Sequence, residues 1–76
     1  MAFRWGIMGA GSIAGKFVDA ARRSADCEVI AIASRELSRA EAFAQQHDIP
    51  HACGSYEALL EEHRPDAVYI AARTHA

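Results

Sequence analysis

Seventy-six residues suffice for one small domain and no more. A composition 51% hydrophobic and 24% charged, with only two prolines, excludes a disordered tail. A formal net charge of −2 leaves no basic face for nucleic acid or an acidic membrane.

Phe3 to Met8 is largely apolar and aromatic and reads as a buried parallel strand ending at Gly9. Gly9-Ala10-Gly11-Ser12-Ile13-Ala14 follows, a G-x-G-x-x-A pattern between that strand and a helical stretch. The first glycine permits the tight turn, and the second lets a pyrophosphate approach the backbone. Ala14 lets the new helix pack close to the strand. Free N–H groups at the helix start, aligned with its dipole, suit a doubly charged pyrophosphate. The helix is expected from Ser12 to about Ala25, with Ile13, Phe17, Ala20, Ala21 and Ser24 as its inward stripe. Lys16, Arg22 and Arg23 lie off that stripe and read as a solvated face.

Glu28 to Ala33 is β-branched and nearly uncharged, a second strand that completes a βαβ unit of about thirty residues. The crossover must be right-handed, so the two strands are parallel neighbours. Ser38-Arg39-Ala40-Glu41 has the form of a capping box and is expected to start the second helix. That helix turns Ala40, Phe43 and Ala44 inward and ends near His47, before Asp48-Ile49-Pro50. His51 to Gly54 is short enough only for an edge strand. Ser55 then caps a third helix with Leu59 and Leu60 as its buried pair. Ala67 to Ala71 is the last strand, expected beside the first and leaving an open sheet edge. The order β-α-β-α-β-α-β is one half of a doubly wound α/β Rossmann fold. Its ligand crevice would lie between the first and last strands, above Gly9 and Ala71.

NAD-binding folds place a carboxylate at the end of the second strand to accept the ribose hydroxyls. This chain has Ser34-Arg35 there, with Arg39 four residues on. A missing carboxylate beside two guanidiniums points to a 2′-phosphate, hence to NADP. NAD stays possible. The same neutral serine argues against a methyltransferase nucleotide fold, which needs an acid at this position. Cys27 and Cys53 stand in no metal or redox spacing and read as small buried thiols in a reducing compartment. His47 and His51 are four apart, but Pro50 prevents a helical zinc pair, so no metal site is expected. His75, just after the last strand, falls near the expected crevice. The first residues lack a basic leader and a long apolar core, and no run reaches the length of a membrane span. A cytoplasmic location is the default expectation.

These motifs together resemble the N-terminal part of the Gfo/Idh/MocA oxidoreductases. The resemblance is carried by Arg4 to Ala14, Ile32 to Arg35, Arg39 to Ala44, Gly54 to Leu60 and Asp66 to Ala71. It implies a partial NAD(P)-binding domain over residues 1–76, from a homo-oligomeric dehydrogenase acting on a sugar, polyol or cyclic diol. Gly9, Ala10, Gly11, Ser12 and Ile13 would hold pyrophosphate, and Ser34, Arg35 and Arg39 the adenosine phosphate. Ala71, Ala72 and Arg73 would lie under the nicotinamide ribose. Where the family usually reads Ala-Thr-Pro-Asn, this chain reads Ala71-Ala72-Arg73-Thr74. The family's Glu-Lys-Pro segment, with its catalytic lysine, and its substrate domain have no counterpart in these residues. No catalytic residue is therefore expected within them, and the 76 residues alone are expected to be inactive. The alternative is a non-catalytic nucleotide-binding module, a cofactor sensor or regulatory subunit.

Overall fold

A computed structural model describes residues 2–71. Four strands, β1 (Phe3–Met8), β2 (Cys27–Ala33), β3 (His51–Cys53) and β4 (Ala67–Ile70), form one parallel sheet in the order β3-β2-β1-β4. Helices α1 (Ser12–Arg22) and α2 (Leu37–His47) make the first two crossovers. The third runs through α3 (Tyr56–Ala58), which widens into a π-helical turn over Leu59–His63. The last strand lies beside the first, as expected. All strand C-termini therefore gather at one edge of the sheet.

Both faces of the sheet are covered, because alternate strand residues point to opposite sides. Ile7 and Ile32 pack with Ala14 and Val18 of α1 and with Ala40, Phe43 and Ala44 of α2. Ala31, Ala33 and Cys53 face the other way, toward Leu59. Small residues let the third crossover sit close. A Cβ on Gly6 would come within 3.0 Å of Pro65 Cγ and 3.2 Å of the Leu59 methyls. Between Trp5 and Gly6 the pairing slips by one, leaving Ile30 as the extra residue of β2. At the opposite edge of the sites, Arg4 ties β1 to the third crossover. Its guanidinium donates to the carbonyls of His63 (2.9 Å) and Arg64 (3.1 Å), while its backbone exchanges bonds with Asp66.

Several expected details shift. α1 ends at Arg22, not near Ala25, and its buried positions are Ala14, Val18 and Ala21. The helix starts at Ser12 as expected, but Ala14 is the residue turned to the core, and the stripe follows at four and seven positions beyond it. Ile13 is consequently 55% exposed, and Ala20 and Ser24 face solvent. Phe17 is half-buried, stacked on Tyr69 at 4.2 Å and edge-on to Trp5 at 5.0 Å. Of the leucine pair only Leu59 is buried, since adjacent residues of a helical turn point to different sides and Leu60 is carried to the surface. Cys27 is half-buried, because it opens β2 at the sheet's rim.

The start of α2 is also earlier than the capping box implied. Ser38 lies inside the helix; the N-cap is Glu36, without a side-chain cap. The hydroxyl of Ser34 accepts the Glu36 N–H at 3.4 Å and turns the chain two residues beyond itself. Glu36 then offers its carbonyl to the N–H groups of Arg39 (3.1 Å) and Ala40 (3.2 Å). Ser55, by contrast, caps α3 as expected, accepting from Ala58 N–H at 3.1 Å.

Candidate functional site

At the C-terminal edge of the sheet the βα connections enclose a cleft of about 570 Å³. Its floor is the loop between β1 and α1. Gly9 has φ 105°, a conformation that side chains disfavour, and its N–H donates to the Ala33 carbonyl at 2.8 Å. That bond joins the turn to the end of β2. Gly11 has φ −134° and ψ −171°, which any residue adopts, and a Cβ there would meet nothing within 4 Å. Neither backbone nor packing of the chain requires a glycine at position 11.

The first backbone bond of α1 runs from Gly15 N–H to the Gly11 carbonyl at 3.2 Å. The N–H groups before Gly15 therefore lie ahead of the helical ladder, at the positive end of its dipole. Gly11, Ser12 and Ile13 are all exposed around this point, and Ala10 and Gly9 complete the loop's contribution to the cleft.

The second wall comes from the β2–α2 connection. Ser34 is buried, 8% exposed, held by its N–H on the Cys53 carbonyl (3.1 Å) and by its bond to Glu36. Arg35, Glu36 and Arg39 are exposed and line the cleft beside it. Ala71 closes the side of β4, with its N–H on the Met8 carbonyl at 2.8 Å. The structure thus brings Gly9, Ala10, Gly11, Ser12, Ile13, Ser34, Arg35, Arg39 and Ala71 together in one cleft. Ala72, Arg73 and His75 lie outside the described residues.

Two lining residues were not among the expected ones. Glu36 became visible only once α2 was found to begin at Leu37, which makes it the cap rather than a loop residue. Tyr56 is half-buried at the start of α3, packed against the core under β3. Its signal was positional, since a residue following any strand of a parallel sheet is carried to the same edge.

The remaining reactive side chains lie elsewhere. His47 packs at a tilt against Phe43 with ring centres 4.3 Å apart, and His51 stacks on His63 at 4.4 Å. Among the described residues no three His, Cys, Asp or Glu side chains form a group that could hold a metal ion. Burial pushes the Cys53 thiol up, and the nearby Glu62 carboxylate adds to the effect. That disfavours the reactive thiolate. No described helix is long and apolar enough to cross a membrane.

Known proteins are similar to this chain in sequence and in fold. Trans-1,2-dihydrobenzene-1,2-diol dehydrogenase of Danio rerio is 49% identical over 72 residues, which is 92% of this chain and 22% of that protein. Among solved structures, KijD10, a 3-ketoreductase from Actinomadura kijaniata in complex with NADP and TDP-benzene, is 35% identical with a TM-score of 0.83. The match covers 93% of this chain and 22% of that one. An NAD-binding oxidoreductase from Klebsiella pneumoniae superposes with a TM-score of 0.88 at 24% identity, a likeness of fold, over 97% of this chain and 22% of that one. The chain thus spans about a fifth of the length of the relatives it matches. The model of the oxidoreductase family with an NAD-binding Rossmann fold, Gfo/Idh/MocA, matches residues 3–76, and the chain belongs to that family.

Proposed function

We propose that the cleft binds NADP in preference to NAD, and that the chain is the cofactor-holding part of a dehydrogenase. In this reading the backbone N–H groups from Gly11 to Ile13 hold the pyrophosphate at the start of α1. Arg35 and Arg39 fork onto the adenosine 2′-phosphate, and Ser34 leaves room for it where a carboxylate would repel it. Ala71 supports the nicotinamide ribose. The observation that supports the reading is the open space above Gly11, where neither the backbone conformation nor the packing of the chain asks for a glycine.

When bound, the nicotinamide supplies the hydride chemistry; the residues of this chain bind and orient it. The substrate class favoured is a sugar, polyol or cyclic diol, oxidised at a hydroxyl carbon or reduced at the carbonyl. Support comes from the 49% identity to a dihydrodiol dehydrogenase and the 35% identity to a 3-ketoreductase. The 76 residues by themselves should bind cofactor without turning substrate over.

Titrating the chain with NADP and NAD at low salt tests the proposal. NADP should bind about ten- to a hundredfold more tightly, the effect of one or two charge-assisted bonds at a half-exposed site. Equal affinities would overturn the NADP assignment, and absence of binding by either would overturn the dinucleotide reading itself.

A further inference from the structure

Two imidazoles meet on the side of the sheet away from α1 and α2. His51 opens β3, and its ring stacks on that of His63 at the end of the π-helical turn, with centres 4.4 Å apart and planes 22° from parallel. Along β3, Ala52 packs with the α2 side of the sheet and Cys53 with Leu59, so His51 shares the Cys53 side and is turned to the third crossover. His63 is held from behind. Its carbonyl accepts the Arg4 guanidinium at 2.9 Å, and Arg64 after it is left-handed at φ 43°. The stack thus joins β3 to the crossover, and both of these reach the cleft. The Cys53 carbonyl, two residues from His51, accepts the Ser34 N–H at 3.1 Å, and Tyr56 at the head of the crossover lines the cleft.

Neutral imidazoles lie face to face without penalty, and so does one neutral ring with one charged ring. Two imidazolium rings repel. For unit charges this close the repulsion in water corresponds to about a fivefold change in an equilibrium constant. The groups around the pair leave that repulsion in place. Glu61 and Glu62 precede His63 on the turn, while Arg64 follows it and Arg4 lies against its carbonyl, two charges of each sign. Cys53, on the same side of β3, stays a neutral thiol because burial and Glu62 disfavour its ionisation. We infer that the His51–His63 stack is a pH-sensitive clasp, closed while at least one ring is neutral, whose opening in acid loosens the Ser34 wall of the cleft. The open form takes up two protons where the closed form takes one, so the clasp is stable above the histidine range and is lost as pH falls through it.

Hydrogen exchange at the Ser34 amide tests this on the chain without any cofactor, so the outcome is independent of what the cleft binds. Exchange is measured at about pH 7.5 and about pH 5.0 and expressed as a protection factor, which removes the intrinsic effect of pH. Wild type is compared with His63→Phe and His51→Phe, each of which keeps a ring in the stack and removes one of the two charges. Wild-type protection should fall about fivefold in acid, and in either variant it should change less than twofold. A thermal midpoint near that of wild type at about pH 7.5 shows that a variant is folded, and either variant suffices. An equal fall in wild type and variant would overturn the clasp, because the acid effect would belong to other groups. Wild-type protection that is unchanged in acid would overturn it as well.

Discussion

The two ends of the cleft are made of different material. The end at β1–α1 is backbone: Gly9 turns at φ 105°, Gly11 leaves open space, and the N–H groups ahead of α1 face outward. The end at β2–α2 is side chain: a buried hydroxyl, two guanidiniums and one carboxylate, three of them exposed. A backbone site reads charge alone and is lost only when an atom intrudes. A side-chain site reads the difference between two cofactors, and it can be rewritten residue by residue.

The sharpest way to break the comparison is to put one methyl group into the backbone end. Gly11→Ala leaves the fold intact, since its φ and ψ suit any residue and its Cβ meets no protein atom. The methyl would still hold the pyrophosphate off the N–H groups. Losing two charge-assisted bonds should weaken NADP and NAD alike by about a hundredfold, with an unchanged melting temperature. Unaltered affinity would mean that the phosphates do not lie over Gly11.

At the other end, Ser34→Asp with Arg35→Ile should change the ratio of the two affinities rather than their sum. The aspartate keeps the acceptor for Glu36 N–H, so the turn into α2 survives. We expect the NADP-to-NAD preference to fall by about ten- to a hundredfold. A ratio that stays put would remove these residues from cofactor choice.

Gly6 sharpens the contrast from outside the cleft. A methyl there would press on Pro65 and Leu59 at 3.0–3.2 Å, so Gly6→Ala should cost about 1–2 kcal/mol of stability in a denaturant titration. The preference between cofactors should not move. The smallest effect expected is that of salt. Raising it to physiological strength should reduce the preference for NADP a few-fold, because exposed guanidiniums are screened.

The division between backbone and side chain also explains what could be read from the amino acids. Glycines at 9 and 11 report a turn and an open approach, and strand hydrophobicity with helical spacing gave the sheet order. Nine of the expected site residues line the cleft because all strand ends of a parallel sheet meet there. Glu36 was not legible, because Ser38 and Glu41 form a convincing capping box two residues too late. The competing signal was a hydroxyl two residues before Glu36, a local bond that residue order alone does not rank. The inward stripe of α1 failed for another reason: the start at Ser12 was right, but the small Ala14 and Val18 face the sheet, one position beyond the larger Ile13 and Phe17 that hydrophobicity favours. Tyr56 owed its place to topology, which no single stretch reveals.

The central claim is that one dinucleotide spans both ends of the cleft. An amide ¹H–¹⁵N titration of the chain with NADP tests it most directly. Resonances of Gly9 to Ile13 and of Ser34 to Arg39 should move together, with one dissociation constant. With NAD the first group should move by the same amount and the second follow a different path. Shifts confined to one group, or centred on the His51–His63 stack instead, would contradict the account.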